Sequence, residues 1–421
     1  MESPDYDVIV MGGGPAGATA ATLVAAGGYK VALIERLPQT GFKIGESLMP
    51  QTFDTFRRLG MLDRLYSSAF VRKYSVQFYS KSGRASAPFY FRETDPGEGS
   101  VTWQILRQDF DRMMLDNARD HGVDVREGGT VRDVLFDGGR AVGVDADLPE
   151  GRRQLSARVI VDATGQRALI ARRLGLIELD PKLKNAAIFT HYEGAVRDPG
   201  IDEGATLVLH TSGQEAWFWY IPLPDDRVSV GVVGPVDYLL NGRSGSPEQI
   251  FAEEVARCAP LGPRIENARP GMDFRVLRDF SYRSRQIAGD GWVLVGDAFG
   301  FLDPIYSSGV LLGLSSGELA ADAILDALAA GDPSAARLGA FGPRFIAGME
   351  SMRRLVYAFY DPNFRFSKFL RRYPEYRLDL IDVLRGNVFS RDFSGLWDAL
   401  DRTAASPDED LAQPVLTGAG A

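Results

Sequence analysis

Cysteine is almost absent from this 421-residue chain, which contains only Cys258. A single cysteine excludes an internal disulfide framework and any cysteine-rich metal cluster. Histidine is nearly as rare, and His121, His191 and His210 are far apart in the sequence. A zinc site built from histidines is therefore not expected, and we predict no bound metal.

Charge and hydropathy argue against two further classes of protein. The chain has 56 acidic and 47 basic residues, a formal net charge of −9 that disfavours nucleic-acid binding. Its start, MESPDYDVIV, lacks the basic and apolar regions of a secretory signal. The longest apolar stretch, at about 310–330, carries Glu318, Asp322 and Asp326, which a membrane-spanning helix tolerates poorly. We expect a cytoplasmic protein that binds neither nucleic acid nor membrane.

The N-terminal segment predicts a dinucleotide-binding site. A β-branched run at 6–11 leads into a glycine-rich turn and then a stretch of small residues. Such a turn lets the backbone approach a pyrophosphate at a helix N-terminus. Glu35, followed by Arg36, lies about 20 residues downstream, where an acid accepts a ribose hydroxyl and favours FAD or NAD over NADP. The residues predicted to contact the phosphates are Gly12, Gly14, Pro15, Ala16 and Gly17.

Later segments resemble the FAD-binding motifs of glutathione-reductase-type proteins. Asp297 follows an apolar run and is similar to the aspartate that contacts the ribityl chain in that fold. Thr164 and Gly165 belong to a segment that resembles its middle motif. Arg107 matches the arginine beside the flavin in FAD monooxygenases. The resemblance implies FAD as the cofactor and assigns Val131 to its site as well.

Three more segments resemble those of flavin-dependent halogenases, and together the similarities run from residue 6 to about residue 389. KIGESLMP at 43–50 is similar to the GES-x-x-P loop, which geranylgeranyl reductases also carry. WFWYIP at 217–222 fits the W-x-W-x-I-P signature, and FLDPIYSSGV at 301–310 fits F-x-D-P-x-x-S-S-G-V. The chain is identified as similar to the short halogenases of phenols and pyrroles. The resemblance assigns three residues of the loop at 43–50 to the flavin site: Gly45, Glu46 and Ser47.

The tryptophan segment reads as a strand with alternating aromatic residues. Trp217, Trp219 and Ile221 would share one face, and Phe218 and Tyr220 the other. This pattern is also that of an ordinary core strand. Beside a flavin, the two indoles would form a wall that keeps the substrate away from the activated oxygen.

The segment 301–310 leads into a predicted long helix. The resemblance assigns Pro304, Gly309 and Val310 to the flavin site. A helix N-terminus offers unpaired N–H groups and a positive dipole end, so the amides of Ser308 and Gly309 are candidates for binding halide. The same amides could instead hold the pyrimidine edge of the flavin, and both roles are compatible.

Lys73 is the predicted catalytic residue. In halogenases a lysine in a similar V-x-K segment receives hypohalous acid, either through a hydrogen bond or as a chloramine. Burial would lower the pKa of this lysine and increase the neutral amine. Arg72 is the alternative, but its guanidinium stays protonated and reacts less readily. A lone lysine at a strand end is otherwise usually a solvated charge.

The resemblance implies a complete reaction. Reduced FAD and O2 would form a flavin hydroperoxide, and chloride or bromide would convert this to hypohalous acid, which halogenates an electron-rich aromatic ring. A separate NAD(P)H flavin reductase would supply FADH2, because only one dinucleotide signature is found. The ring, a phenol or pyrrole of natural-product (antibiotic) biosynthesis, could be free or held by an acyl or peptidyl carrier protein. A basic helix at 364–372 is either a solvated amphipathic helix or a carrier-docking surface.

Three other functions remain open from the sequence. An FAD-dependent aromatic hydroxylase would share the glycine turn but use NADPH on the same polypeptide. A geranylgeranyl-reductase-like flavoprotein would need a long apolar tunnel. A flavin-binding sensor without turnover would bind FAD tightly and make no product. No carboxylate stands out as the base that removes the ring proton, and Tyr306, where many relatives have Phe or Glu, leaves the halide preference open.

The predicted fold class is α/β, with a glutathione-reductase-type FAD-binding domain, an antiparallel β-sheet substrate domain and a helical C-terminus. The FAD-binding domain is expected at 1–70, 100–180 and 270–345. The β-sheet domain, at 71–99 and 181–269, is expected to cover the flavin and to carry both Lys73 and the tryptophan strand. Residues 346–421 should be helical and end in a disordered tail.

Overall fold

The computed structural model of the chain describes residues 3–37, 43–278, 281–361 and 364–404. The predicted tail falls outside the described residues. The strands are β1 Tyr6–Met11, β2 Val31–Glu35, β3 Val71–Lys73, β4 Ser75–Tyr79, β5 Phe89–Tyr90, β6 Thr102–Gln104, β7 Asp124–Glu127, β8 Thr130–Asp137, β9 Arg140–Leu148, β10 Gly151–Asp162, β11 Ile177–Leu179, β12 Asn185–Glu193, β13 Thr206–His210, β14 Trp217–Leu223, β15 Arg227–Pro235, β16 Arg269–Pro270, β17 Arg275–Arg278, β18 Tyr282–Ser284, β19 Ala288–Gly289, β20 Trp292–Leu294 and β21 Gly300–Phe301.

Helices pack on the faces of these sheets, and the last part of the chain is helical. The α-helices are α1 Pro15–Ala26, α2 Thr52–Arg58, α3 Leu62–Tyr66, α4 Arg107–Asp120, α5 Leu169–Arg173, α6 Val236–Leu239, α7 Pro247–Ala256, α8 Gly262–Ile265, α9 Ser308–Ala329, α10 Ala335–Leu338, α11 Gly342–Tyr360, α12 Phe366–Arg372, α13 Arg377–Arg385 and α14 Ser394–Ala404. The 3-10 turns are Phe91–Glu93, Glu98–Ser100, Gly165–Arg167, Gly200–Asp202, Gly296–Ala298, Pro304–Tyr306 and Pro374–Tyr376.

The first sheet has the order β19-β20-β10-β1-β2-β7, and its strands from β20 to β7 run parallel. Every residue of β1 except Asp7 is buried. Such nearly continuous burial is typical of a parallel strand covered by helices on both faces. The predicted α/β fold is confirmed.

Helices α1 and α9 pack closely against each other because Gly317 of α9 has no side chain at the contact, where a Cβ would lie 2.4 Å from the carbonyl oxygen of Ala16. Gly17 of α1 instead allows close contact with the glycine turn, since a Cβ there would lie 2.0 Å from the carbonyl oxygen of Gly12. Within the described part of the chain, α9 is long and apolar enough to span a membrane. Its most apolar window is 72% buried, as in the core helix of a globular protein.

The second sheet has the order β16-β12-β15-β14-β13-β4-β5, with β17 also paired to β12. Its strand β14 alternates as predicted. Trp217, Trp219 and Ile221 belong to the main core that faces the first sheet. Phe218 and Tyr220 belong to a second core on the outer face.

The predicted place of Lys73 in this sheet is wrong. Its strand β3 pairs with β6 in a separate two-stranded ribbon, in which Lys73 lies opposite Thr102. Only β4, after a break at Tyr74, joins the large sheet through β13. The large sheet also extends past residue 269, because β17 pairs with β12. The sequence had placed β17 in the FAD-binding domain instead. The break turns Lys73 towards residues 47–48 instead of the sheet surface.

The C-terminal helices are attached to the rest of the protein by ion pairs of two buried arginines. Arg353 of α11 donates to Asp180 at 2.5 Å, and both side chains are at most 9% exposed. Tyr357, one turn later, donates to the same carboxylate at 2.8 Å. Arg385 of α13 similarly pairs with Asp95 at 2.6 Å. These contacts attach α11 to the segment after β11 and α13 to the loop between β5 and β6.

We predict that Asp180→Ala lowers the free energy of unfolding by about 3 kcal/mol, because it removes the buried carboxylate partner of Arg353 and leaves it only Glu350, which is 39% exposed. Urea unfolding of the apoprotein measures this change. The control is Asp54→Ala, which removes an ion pair whose side chains are 61% and 62% exposed and should cost below about 1 kcal/mol. Equal losses in the two variants would contradict the prediction.

Candidate active site

A cavity of about 720 Å³ lies at the carboxyl ends of the parallel strands, between the first sheet, the start of α9 and the second sheet. This volume is within the range of small-molecule and cofactor sites. Among the residues predicted to bind the cofactor, only Gly17 is not on the cavity surface; it serves the contact with the glycine turn instead. The predicted residues on the surface are Gly12, Gly14, Pro15, Ala16, Glu35, Arg36, Gly45, Glu46, Ser47, Arg107, Val131, Thr164, Gly165, Asp297, Pro304, Gly309 and Val310.

The glycine turn has the geometry of a pyrophosphate cradle. Gly12 has φ +109°, and a Cβ there would lie 2.3 Å from the Ala163 carbonyl oxygen. A Cβ on Gly14 would meet nothing within 4 Å, so the backbone here is open to the cavity. Helix α1 starts at Pro15 without a side-chain cap, which leaves its first N–H groups for an anion.

The carboxylate of Glu35 is fixed at the cavity edge. It accepts hydrogen bonds from the backbone N–H of Gly13 at 2.6 Å and of Leu37 at 2.9 Å. Both donors hold its oxygens beside the glycine turn, where a ribose would lie next to the pyrophosphate. Together with the open turn, this arrangement fits the adenosine half of FAD.

Arg107 is held in place by a carboxylate that the sequence interpretation left without a role. Its guanidinium donates to Asp111 at 3.0 and 3.2 Å and to the Ile44 carbonyl at 2.5 Å. Lys43 donates to Asp111 at 2.9 Å. Gly45, with φ +106°, leaves room for this guanidinium, since a Cβ would lie 2.8 Å from it. The four-residue spacing of Arg107 and Asp111 on one helix was the available signal.

Asp297 lies in the turn after β20 and faces the same cavity. Burial raises the pKa of Asp297 to about 6, and the charge of Arg107 opposes that shift. The Asp297 backbone carbonyl accepts a hydrogen bond from Tyr282 at 2.6 Å. The hydrogen bond fixes the backbone of Asp297 at the cavity wall, and the resemblance implies that its side chain contacts the ribityl chain.

The start of α9 offers free backbone donors to the cavity. Ser307 precedes the helix in the left-handed conformation, φ +57°, and gives it no side-chain cap. Ser307 and Gly309 line the cavity, whereas Ser308 is 1% exposed and does not. Uncapped N–H groups of a helix N-terminus suit an anion or an electron-rich flavin edge.

Lys73 lies just outside the cavity, in a site that is shielded from solvent. It is 3% exposed, and its Nζ donates to Ser47 Oγ at 2.8 Å and to the Leu48 carbonyl at 3.0 Å. Burial lowers the pKa of Lys73 to about 7. Arg72 points elsewhere, with its guanidinium over the rings of Tyr66 and Trp103. Of the two basic candidates, only Lys73 contacts the residues that line the cavity.

A partition made of Ser47 and Thr206 separates Lys73 from the flavin cavity. Both residues line the cavity, and their hydroxyl oxygens are 3.0 Å apart. Gln104, which lies opposite Val71 in the β3–β6 ribbon, donates to Thr206 at 2.9 Å. Thr206 and Gln104 were not predicted, because their approach to Ser47 depends on pairing between distant segments.

The two tryptophans of β14 have different surroundings: Trp219 lines the cavity, and Trp217 contacts helix α11. Trp219 lines the cavity, and its indole lies over Gly231, where a Cβ would be 2.2 Å from the ring. Its Nε1 donates to Ser229 at 3.0 Å. Trp217 does not line the cavity, and its Nε1 donates to the hydroxyl of Tyr360 on α11 at 2.9 Å. Only Trp219 is thus part of the flavin-side wall.

The Trp217 contact belongs to a buried polar network beyond that wall. Tyr360 donates to Asp303 at 3.0 Å, and Asn185 donates to the same carboxylate at 3.0 Å. Burial raises the pKa of Asp303 to about 7. Asp303 also accepts from the N–H of Ile305 and so connects the turn before α9 to the C-terminal helices.

Metal-binding geometry is not found in the part of the chain that the structure describes. No group of three or more His, Cys, Asp or Glu side chains there could hold a metal ion. His191, one of the three histidines, instead lies against Glu46 at 2.6 Å. The sequence contained no local signal for this pair, since the two residues are 145 positions apart.

We predict that the free energy of unfolding depends on pH through Lys73. Between about pH 7 and 10 the unfolded chain protonates this lysine and the folded chain does not. Stability should therefore rise with pH in this window, by about 1 kcal/mol per pH unit, and lose this dependence in Lys73→Met. Urea unfolding of both apoproteins at about pH 8 and 9 measures the difference. If the unfolding free energies of the unaltered protein and of Lys73→Met differ by the same amount at both pH values, the lowered pKa of Lys73 is contradicted.

The sequence family described as "FAD binding domain" matches residues 5–331. A 1H-pyrrole-2-carbonyl-(peptidyl-carrier protein) chlorinase of Pseudomonas fluorescens is 30% identical over 97% of this chain and 95% of its own. The corresponding brominase of Pseudoalteromonas luteoviolacea is 34% identical over 79% and 80%. The solved structure of the flavin-dependent brominase Bmp2 has a TM-score of 0.84 at 32% identity, covering 94% of this chain and 97% of that chain.

Proposed function

This chain belongs to the flavin-dependent halogenases, and we propose that its substrate is a pyrrole ring held as a thioester on a peptidyl carrier protein. Two relatives that match most of the chain are named for that substrate, one as a chlorinase and one as a brominase. The observation that carries the catalytic assignment is the buried Lys73 amine directly behind the partition. Reduced FAD, supplied by a separate flavin reductase, provides the oxygen chemistry that converts halide to hypohalous acid.

The protein's own residues orient the reactants around that chemistry. The glycine turn and Glu35 hold the adenosine half of FAD, and Arg107, fixed by Asp111, holds its flavin end. The uncapped amides at the start of α9 bind the halide. Trp219 and the partition would then keep a ring-sized substrate out of the cavity, and the smaller oxidant would reach Lys73 past Ser47 and Thr206.

Lys73 captures the oxidant on the far side of the partition. With a pKa of about 7, a large fraction of this lysine is a neutral amine at neutral pH. The amine can take the halogen from hypohalous acid, with release of water, and the ammonium form can hydrogen-bond the acid instead. Either form keeps the oxidant at Lys73, as a haloamine or through a hydrogen bond, until the aromatic ring reacts with it.

We expect the purified protein with FAD, a flavin reductase, NADH and O2 to halogenate a pyrrolyl-carrier thioester. Mass spectrometry should show a chlorine or bromine isotope pattern when the matching halide is present. The competing aromatic hydroxylase would instead add one oxygen and consume NADPH without the reductase. That product, or tight FAD binding with no product from either free or tethered phenols and pyrroles, would contradict the proposal.

The C-terminal helix α12 is the proposed contact for the carrier protein. Residues 364–372 contain four basic and no acidic residues in a chain of net charge −9, and Arg371 and Arg372 are exposed. The other side of α12 faces the protein interior, since the Phe366 ring lies against that of Phe78, with ring centroids 5.6 Å apart. The ring centroids of Phe78 and Phe89 are 5.8 Å apart. Phe89 is two residues before Phe91, whose ring lies beside the Lys73 amine. A basic helix at the end of an aromatic path suits an acidic carrier and its phosphate-bearing arm.

We predict that Arg371→Glu/Arg372→Glu raises KM for the carrier-tethered substrate about tenfold, because charge complementarity is lost. Turnover of the same ring on free pantetheine should not change. The control is Arg152→Glu/Arg153→Glu, which reverses two adjacent exposed arginines on the hairpin of the FAD-binding domain. Equal KM values for the two double variants with the carrier substrate would exclude α12 as the docking surface.

A further inference from the structure

A continuous chain of hydrogen bonds connects the Lys73 amine to the residues that line the flavin cavity. Lys73 Nζ donates to Ser47 Oγ at 2.8 Å, and this oxygen is 3.0 Å from Thr206 Oγ1. Gln104 Nε2 donates to Thr206 Oγ1 at 2.9 Å. All four side chains are at most 3% exposed. Since Ser47 and Thr206 line the cavity, the chain of hydrogen bonds leads from the buried amine to that space.

The direction of these hydrogen bonds follows from groups that can act in only one way. The Gly204 carbonyl can only accept, so the Gln104 atom at 2.9 Å is the amide nitrogen, which also donates to Thr206. The ammonium of Lys73 can only donate to Ser47, which leaves the Ser47 proton for Thr206. Thr206 Oγ1 then accepts from two donors, and its own proton is left for the cavity that this residue lines.

Only one of the two acceptors of the Lys73 amine can pass a proton on. The Leu48 carbonyl, at 3.0 Å, accepts a hydrogen bond but has no proton to release. A hydroxyl group can accept one proton and release another, as in the proton-transfer chains of acid–base catalysis. The route through Ser47 is therefore the one that can change the protonation of the buried lysine.

The reaction uses a proton at one end of this route and releases one at the other. Making hypohalous acid from halide and O2 with reduced FAD consumes one proton and also forms oxidised FAD and water. The ammonium of Lys73 must lose one proton before its nitrogen can take the halogen, because it is the neutral amine that reacts with hypohalous acid to give a haloamine and water. A proton moved from Lys73 to the cavity meets both needs.

We propose that Ser47 and Thr206 form a proton relay from the Lys73 ammonium to the flavin cavity. This inference rests on the proposed function, in which Lys73 captures the oxidant. The Lys73 N–H bond breaks as Ser47 Oγ takes its proton, the Ser47 proton passes to Thr206, and the Thr206 proton passes into the cavity. Both hydroxyl groups end neutral, and Lys73 Nζ keeps the electron pair that attacks the halogen. Gln104 is a positioning residue, because its amide directs the Thr206 proton to the cavity.

Hydrogen exchange of the Lys73 ammonium with water tests the relay without turnover. Thr206→Val keeps the shape of the side chain but interrupts the relay, so we expect this exchange to slow about tenfold. Nuclear magnetic resonance of the full-length protein, with lysine labelled by nitrogen-15 and without FAD, measures the rate. Thr206→Ser restores the hydroxyl and should restore the rate. The matched control is Thr102→Val, because Thr102 is also buried and lies opposite Lys73, but its hydroxyl donates to the Met49 carbonyl.

Product formation at two pH values separates the relay from a structural role. The contacts of the amine, which are Ser47, the Leu48 carbonyl and the Phe91 ring, carry no charge, and burial lowers the pKa of Lys73 to about 7. At about pH 6 only about a tenth of the lysine is neutral, so Thr206→Val should make about tenfold less halogenated product. At about pH 8 most of the lysine is already neutral, and the variant should match the unaltered protein.

Each outcome decides between the two views. Lys73 exchange in Thr206→Val as fast as in Thr102→Val would overturn the inference, as would an equal loss of product at both pH values. If Thr206→Val does not fold, Ser47→Ala interrupts the same relay, and unslowed exchange in that variant would also overturn it. If the unaltered protein makes no halogenated product, the proposed function fails, while the exchange rates still show whether the relay exists.

Discussion

Two hydrogen bonds from the buried Lys73 Nζ, to Ser47 and to Leu48, organise the rest of this site. They draw the β3–β6 ribbon against the loop at 43–48, which also lines the flavin cavity. Successive residues of that loop then have different partners: Ile44 accepts from Arg107, Glu46 pairs with His191, and Ser47 accepts from Lys73. One short segment thus sets the positions of the Arg107 guanidinium and of the Lys73 amine at the same time.

The same arrangement explains how one enzyme can make a reactive oxidant and still use it on a chosen ring. The lysine must be shielded from solvent to have a lowered pKa, yet in the proposed mechanism it must also lie close to the cavity in which the oxidant forms. In the proposed mechanism the partition meets both requirements, because only the Ser47 and Thr206 side chains, with hydroxyl oxygens 3.0 Å apart, lie between the cavity and Lys73. The Trp219 indole, lying flat over Gly231, closes the cavity on the sheet side.

Most of the cofactor site could be predicted because its residues occur in short contiguous motifs with fixed backbone geometry. The glycine turn, the loop at 43–48 and the start of α9 all line the cavity as their patterns indicated. The partners of those motifs could not be predicted in the same way. Thr206 and His191 approach the loop only through strand pairing across more than a hundred residues. Likewise, the break at Tyr74 places Lys73 in its own ribbon, which alternation of apolar residues did not reveal.

The central claim is that Lys73 captures an oxidant formed in the flavin cavity, and the fate of that oxidant in Lys73→Ala tests it most directly. A small sulfonated amine in the reaction buffer would trap hypohalous acid that escapes from the protein. The account predicts that the variant still consumes reduced FAD and halide, releases trappable hypohalous acid and makes almost no halogenated pyrrole. Halogenation at the rate of the unaltered protein, or loss of both the product and the trapped oxidant with FAD still bound, would contradict it.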